Sequence, residues 1–288
     1  MGGLKTAVTA LVLVASVPTV PASAQQQKID QVELELMTWP EVSRAIHREG
    51  KNVALVYNGG TEQRGPQGVT GAHTLMGRET VKAIALRLGN AIAAPVLPFS
   101  PNVASATLPG TIGLSSLAFR LVNQNVAEQL IRSGFTTVVL MGDHVDGQKE
   151  LADLATELDR KYSPQGIHVF YCGDVYLKAS ETFAAWLKAN GYPPSGHGGL
   201  ADTSELLYLG GDKGWIRREL LAGAVGDPIR PPGHWHDSQE KPISNGIMGD
   251  ARRSSATLGK QLFELKVSSA VSQIRQLARS VKTTRRVS

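Results

Sequence analysis

Thr136-Thr137-Val138-Val139-Leu140-Met141, followed at once by Gly142-Asp143-His144-Val145-Asp146-Gly147, is the stretch from which the fold is read. The first six residues are β-branched or apolar without alternation, the pattern of a strand buried on both faces. The next six are small and polar and form a loop. Upstream, Leu121 to Ile131 has the spacing of an amphipathic helix closed by Ser133-Gly134. Downstream, a helical stretch to about Leu158 leads into a second apolar run, Ile167 to Cys172. The same order occurs earlier: Val53-Ala54-Leu55-Val56-Tyr57, then Asn58-Gly59-Gly60, then a helix over 74–88 with apolar positions at Leu75, Val81, Ile84 and Leu88. Strands alternating with helices predict βαβ crossovers and an α/β fold, a three-layer α/β/α arrangement around a mainly parallel central sheet. In such sheets ligands bind outside the carboxyl ends of the strands, where both polar loops fall.

The chain has 288 residues, of which 42% are hydrophobic and 19% charged, so it carries enough apolar mass for one large core and is not a disordered chain. Residues 1–24 differ from the rest: Lys5, an apolar run from Ala7 to Val20, and Pro21-Ala22-Ser23-Ala24 make up a leader with cleavage expected after Ala24. The run is too short to span a bilayer, so the expectation is an exported, periplasmic protein with no transmembrane segment and a single domain over 25–288. The lone Cys172 cannot form a disulfide within the chain and reads as a buried structural thiol.

The net charge of +5 is concentrated at the end, where from Arg252 onward nine Lys or Arg face one acid, Glu264. Leu258, Leu262, Leu265, Ile274, Ala278 and Val281 recur at helical spacing through that segment. It therefore reads as a basic helix packed on the body with its charges solvated, and nucleic acid is not an expected partner. There is no P-loop, dinucleotide fingerprint or GxSxG elbow, which removes the commonest nucleotide-dependent and serine-hydrolase classes.

Three polar segments carry groups suited to chemistry. The first holds Glu62, Arg64 and His73; the second, Asp143, His144 and Asp146; the third, Gly196-His197-Gly198-Gly199-Leu200-Ala201-Asp202-Thr203-Ser204, opens an apolar helical run. Carboxylates and imidazoles converging at the end of a parallel sheet are the mix that holds zinc or manganese. Each residue also has a plainer reading. Glu62 can cap the following turn, Asp202 or Thr203 can be a helix N-cap, and an isolated histidine is usually hydrogen-bonded structure. His47 and His168 read as structural, and His234 and His236 as part of the site rim or of a loop around Trp235.

The motifs extend this. Gly59-Gly60-Thr61-Glu62-Gln63-Arg64-Gly65-Pro66 resembles G-S-T-E-Q-H-G-P of the creatininase family, and Leu108-Pro109-Gly110-Thr111-Ile112-Gly113-Leu114-Ser115 resembles its F-P-G-T-I-S-L-S. Met141 to Gln148 sits where that family has a glycine-rich His loop, and His197 to Ser204 resembles H-A-G-x-x-E-T-S. Gly246-Ile247-Met248-Gly249-Asp250 with Ala256-Thr257-Leu258-Gly259-Lys260 resembles the closing motif. The resemblance runs over 35–265 and implies a metal-dependent amidohydrolase that cleaves a C–N bond of a small cyclic or linear amide with metal-activated water. It also implies a homo-oligomer, often a hexamer in that family.

The departures fall on the ligands. The family's two-ion site uses the first-motif Glu, the His two residues later, an Asp about eleven residues after that Glu, and the His of the glycine-rich loop. Glu62 and His144 match; Arg64 stands at the second-ion His and His73 at the bridging Asp. A neutral imidazole does not readily bridge two cations and Arg64 brings a fixed charge, so the expectation is one ion, zinc or manganese, held by Glu62, His73 and His144. Asp146 is then expected as general base or a further ligand, and His197 as proton donor to the leaving nitrogen. Asp202 would orient His197 or meet a cationic substrate group, and Arg64 would hold a substrate carboxylate. Creatinine itself is not the expected substrate, because that activity goes with the two-ion set. Leu200, where the family has Glu, leaves a non-enzymatic binding or assembly protein as the alternative, and lactone hydrolysis as a variant of the first reading.

Overall fold

The computed structural model describes residues 31–102, 108–230 and 243–287, so the expected leader over 1–24 and the pair His234 and His236 lie outside the described residues. The described elements are α1 (Trp39–His47), β1 (Val53–Asn58), α2 (Ala72–Leu88), β2 (Ala91–Ala93), α3 (Ser116–Arg132), β3 (Thr137–Gly142), α4 (Gln148–Tyr162), β4 (His168–Tyr171), α5 (Leu177–Ala189), α6 (Leu200–Gly210) and α7 (Ala256–Val287). The four strands are all parallel in the order β2-β1-β3-β4, with Val53 opposite Thr137 and Leu55 opposite Ala93. None of the described helices is long and apolar enough to cross a membrane.

Side chains alternate across a strand, and here the alternation divides the core in two. Leu55, Tyr57, Val139 and Met141 meet Val81 and Ile84 of α2 and Val267 and Ile274 of α7. Ala54, Val56, Val138 and Leu140 meet Phe119 and Leu130 of α3 and Leu151, Leu154 and Leu158 of α4. The result is the expected three-layer α/β/α sandwich. β2, three residues long, and α5 go beyond the elements read from the sequence. α5 lies against α6 and α7 through Phe183, Leu187, Leu200, Leu258 and Leu262. Cys172, just past β4, is buried and free, and burial pushes its thiol up to about 12.

β1 goes to β2 on one side while the following crossovers go to β3 and β4 on the other. The direction of winding therefore reverses between β1 and β3, the place where open α/β sheets form ligand crevices. Two features shape that crevice. Gly147 adopts φ 90° ahead of α4, and a Cβ there would lie 2.8 Å from the Phe119 ring, so the loop from β3 closes tightly. At Gly259 a Cβ would overlap the Ser204 carbonyl, so α7 crosses α6 at a distance only glycine allows.

Asn58, the last residue of β1, is clamped to α3 by reciprocal amide bonds of 2.9 Å with Asn123, both side chains being buried. Asn123→Ala leaves the Asn58 amide oxygen buried without that donor. The expected cost is about 1–3 kcal/mol of unfolding free energy, read as a lower urea midpoint at unchanged slope. A midpoint equal to the parent's would show that the amide pair contributes nothing.

Candidate metal centre

The chain delivers its reactive groups from five places to one. Glu62 follows β1, with its backbone N–H donating 2.9 Å to the Thr70 carbonyl; His73 lies in the first turn of α2. Asp143 and His144 follow β3 directly. His197 and Asp202 stand at the start of α6, whose N-cap is Gly199. α7 contributes Lys266.

Glu62, His73 and His144 are buried, and one ligand atom from each lies within 4.8 Å of the others. His73 Nε2 is 3.0 Å from Glu62 Oε1, and His144 Nε2 is 3.0 Å from Glu62 Oε2. His73 is decisive, because its other nitrogen, Nδ1, is 3.3 Å from Asp143 Oδ2. Burial and the nearby Arg64 guanidinium lower its pKa to about 4, against the pull of Asp143, so the ring is neutral at pH 7 and carries one proton. An imidazole with one proton and a carboxylate at each nitrogen has one nitrogen lone pair facing a carboxylate, a contact that a cation would fit. With the proton on Nδ1 directed at Asp143, Nε2 presents its lone pair toward Glu62, the arrangement in which a carboxylate orients a metal-ligating histidine. Two imidazoles and a carboxylate fit zinc or manganese.

His144 is held differently: its Nδ1 accepts the Asp146 backbone N–H at 3.1 Å, which leaves the proton on Nε2, facing Glu62. Burial alone would lower the His144 pKa, but the Glu62 carboxylate more than offsets this and raises it. A cation taking Glu62 and His144 together therefore displaces a proton. Burial alone would also raise the Glu62 carboxyl, yet His144, His197 and Arg64 hold it well below the usual range.

Arg64 is 3% exposed; Nη2 donates to Glu62 Oε1 at 2.7 Å and Nη1 forms an ion pair with Asp202. Its charge is thus already matched by two carboxylates of the chain. Asp202, in the first turn of α6, accepts the Gly198 backbone N–H at 2.9 Å, so the carboxylate holds the entering chain and pairs with Arg64 at once. His197 is oriented by a backbone group, its Nε2 donating to the Gln63 carbonyl at 2.7 Å, and its Nδ1 is 3.7 Å from Glu62 Oε1. Burial lowers its pKa, which favours the neutral ring. Asp146 lines the same cavity as these groups.

Behind the centre lies a cluster the sequence reading did not assemble. Lys266, 4% exposed, donates to Asp143 Oδ1 at 2.7 Å and to Glu205 Oε2 at 2.6 Å. This corrects the expectation that the charges of the last helix are solvated: a lysine four residues after Leu262 shares its buried stripe and is neutralised by acids from two other elements. Burial would lower the lysine, but Asp143 and Glu205 raise it. Burial would raise Asp143, but Lys266 and His73 hold it below the usual range.

Burial pushes Glu205 up to about 7, with Lys266 opposing and Asp143 reinforcing. A carboxyl raised on folding makes the native state bind the extra proton. Its contribution is present below the ordinary value of 4.5 and lost as pH rises through about 7. Glu205→Gln is expected to flatten the fall in stability across that window in pH-dependent thermal melts; an unchanged profile would refute it.

A cavity of about 390 Å³ opens onto these groups. The creatinine amidohydrolase (Creatininase) family model matches residues 35–274. Among solved structures, a creatinine amidohydrolase is similar at 22% identity and TM-score 0.70, covering 86% of this chain and 98% of its own. A manganese creatininase is similar at 22% identity and TM-score 0.70, covering 85% and 98%. A mutant creatininase of Zn-Zn type is similar at 21% identity and TM-score 0.69, covering 85% and 98%. Comparison with curated proteins by sequence finds no match.

Proposed function

The chain belongs to the creatininase family, and from that premise we propose that it is a metal-dependent amidohydrolase holding one divalent ion on Glu62, His73 and His144. The observation that carries this reading is the neutral His73 ring set between the Glu62 and Asp143 carboxylates, where a cation completes the balance. A zinc or manganese ion held there supplies Lewis acidity toward a carbonyl and lowers the pKa of water toward neutrality.

The chain's own groups do the rest. Asp146, on the wall of the cavity, receives the proton lost by the attacking water. His197, with its Nε2 proton donated to the Gln63 carbonyl, takes up on Nδ1 the proton that Asp146 received from the water and passes it to the leaving nitrogen. Arg64, pinned between Glu62 and Asp202, takes the place of a second ion and keeps both carboxylates ionised. This favours a structural role for Arg64 over the capture of a substrate carboxylate. Residues 1–24 support export to the periplasm, and the family supports a homo-oligomer.

The test is elemental analysis of purified protein, followed by amide and lactone hydrolysis after loading with zinc or manganese. About one ion per chain with turnover agrees with the reading. Two ions per chain would overturn the role given to Arg64, and no bound ion after reconstitution would favour a non-enzymatic binding protein.

A further inference from the structure

The cavity has two unlike ends. At one stand Glu62, His73 and His144; along the other runs a single face of α5. Ser180, Phe183, Ala184 and Leu187 are spaced by three, one and three residues, so all four fall on one stripe of the helix, and all four line the cavity. Phe183 and Leu187 are buried in a cluster with Leu262 of α7, which gives that end a firm apolar floor. Beside them on the same stripe stand the two small residues, Ser180 and Ala184, whose short side chains fill little of the cavity they line. Val145 and Ile229 continue the apolar surface at the rim. Charged groups reach the cavity at the ion end and at Arg230, whereas the α5 face offers one hydroxyl.

A compact, fully polar ring would leave this apolar flank in contact with water. Pockets that bind small organic molecules are of roughly 300–1,000 Å³ and fix a few polar groups at one end of a mostly apolar lining. At about 390 Å³ the cavity matches the lower part of that range.

We propose that the substrate is an amide carrying an apolar body of about phenyl or short-alkyl size, seated on the Ser180–Ala184 face of α5 while its carbonyl meets the Glu62–His73–His144 end. The proposal rests on the hydrolase reading for the chemistry but not for the binding. Ala184 and Ser180 are then specificity-determining positions, small because the substrate occupies the volume in front of them.

The experiment uses metal-loaded protein and a series of primary amides from acetamide to hexanamide, with 3-phenylpropanamide. Both kcat/KM and the calorimetric Kd are measured, for the parent and for Ala184→Trp. Each methylene buried on the α5 face is expected to improve both quantities about fourfold in the parent. Ala184 is exposed, so the indole is expected to fill the cavity without disturbing the fold. The variant should keep its metal content and melting profile and lose the dependence on chain length. A chain-length gradient in Kd without turnover of any amide would support the apolar subsite while removing the hydrolase reading. Turnover with no gradient in either quantity would overturn the subsite, as would a gradient undiminished in Ala184→Trp. Should the variant fail to fold, the gradient in the parent alone decides.

Discussion

His144→Ala is expected to abolish stoichiometric metal binding while leaving the fold in place. The loss follows from the ligand count: with Nε2 removed, Glu62 and His73 remain, and two donors do not hold zinc or manganese against dilution. Partners that merely orient a ligand typically contribute about 10–100-fold in affinity, so losing a ligand itself should exceed that. The fold should persist because the imidazole faces the cavity. The anchoring bond of this loop, from Gln148 Nε2 to the His144 carbonyl at 2.6 Å, uses the backbone and survives substitution. The measurement is metal content together with melting temperature with and without added zinc. A native state that binds an ion present at 100 times its Kd gains about 2.7 kcal/mol, so the parent should rise in melting temperature and the variant should not. An ion retained at one per chain in His144→Ala would remove this residue from the centre.

Lys266→Met is expected to be the most destabilising single change. Methionine has nearly the length of the lysine stem but leaves Asp143 and Glu205, both 1% exposed or less, without their shared cation. Breaking a buried ion pair from one side costs about 3–5 kcal/mol. Glu205, with its carboxyl already near neutrality, can take up a proton and soften the loss; Asp143, held ionised by Lys266 and His73, has no such escape. Adding Glu205→Gln to Lys266→Met should therefore recover part of the stability, which Lys266→Met/Glu205→Gln measured in urea against each single variant will show. Metal affinity should fall as well, by the order of 10–100-fold, because Asp143 orients His73. A Lys266→Met protein as stable as the parent would mean that the cluster is not balanced by this lysine.

Much of this architecture is legible along the chain. Val53–Tyr57 and Thr136–Met141 read as buried strands because continuous apolar runs of that length have few other uses, and the polar residues after each mark the crevice end. β2 was not visible, since Ala91-Ile92-Ala93 is too short to show a period. α5 was legible in principle, since its buried residues Ala179, Phe183 and Leu187 recur every four residues, but two of its three inward positions are followed by Ser180 and Ala184, small residues that blur the apolar face.

That Glu62, His73 and His144 stand at one end of the sheet is legible from the elements they follow or begin, and the resemblance to the creatininase family is what singles them out as ligands. Their support is not legible. Lys266 is separated from Glu205 by 61 residues and from Asp143 by 123, and nothing in a basic tail distinguishes the one lysine that turns inward. Likewise, that Asp202 pairs with Arg64, and that the Gln63 carbonyl holds His197, depends on the angle at which α6 enters, which spacing does not report.

The close crossing of α7 over α6 at Gly259 bears on when the centre comes into being. The ligands are all made within the first half of the chain, yet the lysine that balances Asp143 arrives on the final helix, seated only once α6 lies beneath it. A growing chain leaving the ribosome thus displays Glu62, His73 and His144 long before their charges are matched, and the finished coordination sphere is a late product of folding. An ion bound at Glu62, His73 and His144 would accordingly be chosen from whatever metals surround the chain at the place where its last helix docks.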